Sequence, residues 1–232
     1  MPQQTLTTAW LVVKHSPESD KFPTAYVEPH IYPKEQTLRR QYLGKDFYDA
    51  MLADKVDYGV VPVWASSGTY SSGDYVDYFG TTLQSIQDDN TTEPCADPED
   101  AYWVEPDLFE TACYQSLWEL YLRDYISRYV MIAALPHATF PSGGKGVIEW
   151  VDDGSFRNGA GTRSASQGVL SSRLFALQNE AEEILKNMTE WMNDQNTAGT
   201  CDFSDALVCA ASSPTPQRRR IAYRSNYNDG YY

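Results

Sequence analysis

The chain is predicted to be mainly α: a helical bundle with long loops, a β-hairpin-like insertion and an extended C-terminal tail. Three observations lead there. Two long segments, Glu105 to Ala134 and Ser164 to Gln195, repeat apolar residues at helical spacing. The stretch from 58 to 100 breaks that period with Gly, Ser and Asn turns between aromatic residues, and the last residues form a polar run rich in Arg and Tyr. With 232 residues, 42% of them hydrophobic, the chain can bury a sizeable core, and its 17 Tyr and 6 Trp are more than an unstructured acidic chain carries.

Residues 1–25 are expected to be an N-terminal arm. The beginning has no basic segment followed by an apolar core, so no secretory signal is expected, and the sequons at Asn90 and Asn187 are read as chance. Nor is a run of about 18 apolar residues present to span a membrane. The one apolar run of the arm, Ala9-Trp10-Leu11-Val12-Val13, precedes His15, Pro17 and Pro23 and reads as extended chain or a short strand.

Residues 26–211 are taken as one helical domain carrying the 58–100 loop or hairpin insertion. From Tyr26 a helical run closes on Leu43-Gly44, and Lys45 to Leu52 form a second short helix. Gly44 is expected to adopt the left-handed conformation that stops a helix, and Asp46 to cap the next. Ile31, Leu38, Tyr42 and Leu43, then Phe47, Tyr48 and Leu52, give each piece a side to bury.

Glu105, Asp107 and Glu110 suit a helix N-terminus, and Pro136 suits its stop. Within that helix Phe109, Cys113, Leu117 and Leu120 make one apolar line, and Leu108, Ala112, Trp118, Leu122, Tyr125 and Tyr129 another. A helix so widely apolar is expected in the core, with its wet strip marked by Glu119/Arg123 and Asp124/Arg128 pairs. After it, Gly146 to Val151 reads as a strand. Gly143-Gly144-Lys145-Gly146 lacks the earlier glycine and the Ser/Thr after Lys that a phosphate loop needs, and Gly159-Ala160-Gly161 lacks the context of a dinucleotide fingerprint. The last helix opens with Ser164 and Gln167 in capping-box spacing. Its stripe is Leu170, Leu174, Leu177, Ala181, Ile184, Met188 and Trp191, with Glu182/Lys186 as a supporting pair on the wet side.

Cys113 falls in an apolar pattern and reads as a buried free thiol, while Cys201 and Cys209 bracket a short loop and can pair. His15, His30 and His137 are isolated, so no metal and no cofactor is expected. Adjacent acids at Asp88-Asp89, Glu99-Asp100 and Asp152-Asp153 lie in turn-rich sequence and read as solvated loop charges, so catalysis is not expected.

The formal charge of -14 argues against a protein that works by neutralising phosphates. The charge is uneven. Residues 212–232 form an extended tail with Arg218, Arg219, Arg220, Tyr223, Arg224, Tyr227, Tyr231 and Tyr232; it carries about +3 and leaves about -17 on the rest. Those eight residues are the candidate docking set for an acidic neighbour.

The element Leu43-Gly44-Lys45-Asp46-Phe47-Tyr48-Asp49-Ala50-Met51-Leu52 resembles one in the ring-forming connector, or adaptor, proteins found under the portal of tailed phages, crAss-like and related phages included. The order of the later parts is similar too: an aromatic-rich helix, Gly146-Val147, a Ser164-Ala165-Ser166 start, a long helix reaching Trp191 and a polar Tyr-bearing end. The resemblance covers residue 26 to the C-terminus, and the 58–100 stretch is longer than the family's minimal form. It implies a virion protein, made in the cytoplasm of a bacterial host, that sits at the head-tail junction as a homo-oligomeric ring of about twelve copies. Its implied partners are the portal protein and other neck or tail rings. DNA would pass through the lumen without sequence-specific binding, and no membrane is involved. The alternative is a carbohydrate- or protein-binding module that uses exposed Tyr and Trp.

Overall fold

The computed structural model describes residues 4–17, 22–96, 101–139 and 167–206. They form a helical body and a small sheet lobe, in agreement with the mainly α expectation. The order is α1 (Ala9–Lys14), α2 (Glu28–Leu38), α3 (Lys45–Ala53), β1 (Tyr75–Tyr78), β2 (Thr81–Ser85), β3 (Trp103–Val104), α4 (Ala112–Leu117), α5 (Arg123–Thr139) and α6 (Gln167–Ala198).

The first apolar run is a helix, not the expected strand. Thr8 caps it, its Oγ1 accepting from the Leu11 amide at 3.3 Å, and Leu11, Val12 and Val13 are buried. So short and apolar a piece is stable only inside a core, and α1 lies against α5.

A 3-10 turn at Thr24–Tyr26 leads into α2, which passes into a π turn at Arg39–Leu43 before Gly44. Gly44 has φ 87° and ψ 154°, so its φ is positive, but its ψ lies outside the left-handed helical well that was expected. Asp46 does not cap α3; it stands in the first turn, where its charge favours the positive end of the helix. Of the apolar side expected at the corner, Ile31, Leu38, Leu43, Phe47 and Tyr48 are buried and Tyr42 and Leu52 partly so, and Met51, outside the expected set, is buried with them.

The helix expected from Glu105 begins only at Ala112. Upstream, Trp103–Val104 is the third strand, and Phe109 bridges to Lys55. Of the acids that resemble a helix start, Glu105 is engaged by Lys14, His15 and Arg123, and Gln115 Oε1 accepts the Leu108 and Phe109 amides at 2.8 and 3.0 Å. A π turn at Trp118–Leu122 then separates α4 from α5. Its extra residue per turn shifts the register of the helix face, which explains two departures. Leu120 is 57% exposed rather than on the apolar line, and Arg123 turns to Glu105 at 3.3 Å rather than to Glu119. Asp124 and Arg128 do approach, at 3.7 Å. At the far end α5 continues through Pro136 to Thr139, and its last turn is held by His137 stacked on His30 of α2 with centroids 4.9 Å apart.

Helix α6 packs its expected stripe on α5, with Leu177, Ala181 and Met188 buried and Leu170, Leu174, Ile184 and Trp191 half-buried. Lys186 reaches Glu190 at 3.7 Å instead of Glu182, which accepts from Gln178 at 3.5 Å. Arg128 Nε to Glu180 at 2.9 Å ties the two long helices.

The cysteine readings are corrected as well. Cys113 is not a free thiol: it forms a disulfide with Cys201, with Cα atoms 5.8 Å apart and a sequence separation of 88. Cys201 therefore does not pair with Cys209, which lies outside the described residues. Cys95 is an exposed free cysteine. The strand expected at 146–151, the Ser164 cap and the tail also lie outside the described residues.

Candidate functional site

Three arrangements tie the body together and set the sheet lobe on it. The first is a buried polar anchor across the Gly44 corner. Glu35 on α2 is fully buried and accepts the Leu6 amide at 2.8 Å and the Thr7 amide at 3.0 Å. The Tyr48 hydroxyl, from α3, donates to the same carboxylate. Lys55, just beyond α3, donates to the Thr5 carbonyl at 3.2 Å. One carboxylate thus holds the N-terminal segment, α2 and α3 in register. Burial pushes the Glu35 carboxyl up to about 7, against the hydrogen bonds from Tyr48, Leu6 and Thr7 and the Lys55 charge, which favour its ionised form. Burial likewise pushes the Tyr48 phenol up and the Lys55 ammonium down.

The second is an ionic hub at the junction of body and lobe. Glu105, one residue past β3, meets Lys14 at 3.0 Å and His15 at 2.8 Å from the end of α1, and Arg123 at 3.3 Å from the start of α5. Burial alone would raise the Glu105 carboxyl, but the hydrogen bond and charge of His15 and those of Lys14 outweigh it and hold the group at about 2.

The third is the lobe itself. Strands β1, β2 and β3 form an antiparallel sheet in that order, and the chain at Pro62–Trp64 covers the outer edge of β1 through bonds to Asp77 at 2.8 and 2.9 Å. Val76, Tyr78, Leu83 and Trp103 form a second small core on the inner face, with Trp10 and Trp64 against it. The Thr8 and Thr81 hydroxyls meet at 2.5 Å, so the residue that caps α1 also pins the hairpin. This confirms a hairpin in the 58–100 insertion.

A cleft of about 480 Å³ lies beside this contact, lined among others by Thr8, Trp10, Glu28, Ile31, Tyr32 and Phe79. Among the described residues Glu28 is the one acidic residue of its lining. Asp88 is engaged in accepting the Ser72 amide at 2.9 Å, and Asp89 takes a positive φ of 55° in the adjoining turn. Glu99-Asp100 and Asp152-Asp153 lie outside the described residues, as do Arg218, Arg219, Arg220, Tyr223, Arg224, Tyr227, Tyr231 and Tyr232. Among the described residues no three His, Cys, Asp or Glu side chains are grouped to hold a metal, and no helix is long and apolar enough to cross a membrane.

The fold and these contacts define a mainly helical protein with an acidic sheet lobe. Comparison with protein-family models, with curated proteins and with solved structures finds no match to this chain. Sequence reasoning missed Glu35 and Glu105 because neither has a local motif. The available signal was their setting: a lone acid two turns before a Leu-Gly corner, and an acid next to a Trp-Val pair.

Proposed function

We propose that this chain is a structural ring subunit that joins a phage portal to the tail and surrounds the DNA passage. The observation that carries the reading is the distribution of exposed large apolar side chains. Leu120 and Phe175 are exposed on the helical body, whereas Val60, Val63 and Phe79 are exposed on the lobe. A ring subunit in a stack needs two kinds of contact, lateral to its copies and axial to the next ring, and two separated apolar sets supply them. The helical bodies pack side by side, heterologously, and close through rotation. The insertion and the Arg/Tyr tail hold the adjacent rings.

The net charge of -14 supports a passage rather than a grip, since carboxylates facing the lumen repel the DNA backbone. Ring closure is tested by native mass spectrometry of the purified chain with and without portal protein. Closed oligomers of about twelve copies are expected by the family resemblance. A chain that stays monomeric in both samples, and does not bind the portal, refutes the proposal.

A further inference from the structure

We propose that the outer face of the sheet lobe is the docking surface for the chain's own C-terminal segment, residues 207–232. The face sets exposed apolar side chains around Asp77, Thr82 and Gln84, a mixed surface that suits a segment both basic and apolar. Strand alternation turns Val76, Tyr78, Leu83 and Trp103 inward, so Tyr75, Gln84 and Val104, which are paired across the sheet, point outward together. Val63 pairs with Asp77 on the same side. Val63 is 75% exposed, Ile86 44% and Val104 36%.

Charge selects the occupant. Between Lys55 and Arg123 the chain has 13 Asp and Glu residues and no Lys, Arg or His. Around the sheet Asp57, Asp74, Asp77 and Asp88 accept the backbone amides of Gly59, Ser71, Gly80 and Ser72, and Glu93 accepts from Tyr78. None of these five makes an ion pair among the described residues, so their charges are uncompensated. A second copy's lobe placed on this face would bring acid against acid. The C-terminal segment offers the complement: Arg218, Arg219, Arg220 and Arg224 for the acids, with Ile221 and Tyr223 for the exposed apolar side chains.

Reach is satisfied as well. The Cys113–Cys201 disulfide and the contact of Phe203 with Phe47, ring centroids 6.0 Å apart, hold the end of the described chain beside α3 and α4, and Asp54, just past α3, accepts from Thr111 at the root of the lobe. The described chain thus ends at the side of the body from which the lobe projects. The twelve residues from Ala206 to Arg218 span up to about 40 Å. In the isolated subunit the segment covers a face that would otherwise be open to other chains. This inference does not rest on the ring proposal, since docking is a property of the single chain.

The test uses the full chain. Methyl NMR signals of Val63, Ile86 and Val104 are compared between the wild type and a variant with Arg218, Arg219, Arg220 and Arg224 all changed to Gln. These signals are expected to shift in the variant, to shift likewise at high salt, and to be unchanged on dilution. Trypsin cleavage at the four arginines is the second readout. Val63→Thr keeps a β-branched side chain at the edge of the sheet, and it is expected to speed that cleavage about five-fold, the factor for losing one modest contact. Unshifted methyls, or cleavage at wild-type rate in Val63→Thr, overturn the proposal. Shifts that disappear on dilution also overturn it, by assigning the face to the segment of another copy.

Discussion

Replacing Glu35 with Gln tests the anchor at the Gly44 corner through its pH dependence. In the folded chain the carboxyl is raised from 4.5 to about 7, so between these values the native state holds a proton that the unfolded state has released. Stability from this group is therefore complete below about pH 4.5 and falls as pH rises through 7. A shift of that size corresponds to about 3 kcal/mol between pH 4 and pH 9. His30, lowered by burial and by its neighbours His137 and Lys34, acts in the opposite direction below its ordinary value. The informative quantity is thus the difference between wild type and variant. Urea unfolding at both pH values should show that difference change by about 3 kcal/mol, because Gln does not titrate. Glu35→Gln also sets an amide group against the Leu6 N–H and the Tyr48 hydroxyl, a constant cost of about 1–3 kcal/mol at either pH. A difference that does not vary with pH would refute the reasoning.

Three further outcomes follow from named contacts. Reduction, or the Cys113→Ser/Cys201→Ser pair, removes a cross-link that closes an 88-residue separation, and should cost about 2–4 kcal/mol; the melting temperature should fall on adding dithiothreitol in the wild type but not in the double variant. Gly44→Ala places a Cβ at φ 87° and ψ 154°, a region almost restricted to glycine, and should lower the unfolding free energy in urea by about 1–3 kcal/mol. Glu105, held at about 2 against an ordinary 4.5, gives stability that is present above 4.5 and lost as pH falls through 2; Glu105→Gln should flatten that acid limb in circular-dichroism titrations and cost about 3 kcal/mol at neutral pH by removing the negative charge that Lys14 and Arg123 meet.

The parts of the fold legible in the sequence were those governed by local periodicity. The α6 stripe from Leu170 to Trp191, the apolar side of the Leu43-Gly44 corner and the hairpin within 58–100 each follow from residues a few positions apart. Where a distant partner decides the conformation, local pattern misleads. Ala9 to Val13 is a short apolar run followed by prolines and reads as an arm or short strand, but the Thr8 cap and the α5 surface make it helical. The acids at 105, 107 and 110 imitate a helix start, although Glu105 is held by residues 91 and 90 positions upstream. Leu120 left its line because a π turn is invisible to a 3.6-residue period. The Cys113–Cys201 pair joins residues whose proximity exists only after α5 and α6 have packed. Of the candidate docking set, charge and aromatic content were readable at once, whereas the face that suits it depends on strand register.

The proposed ring can be seen or missed in negative-stain images of the purified protein mixed with a tailed-phage portal. Rings of about twelvefold symmetry stacked coaxially on the portal are expected. Isolated single particles beside bare portals would contradict the proposal.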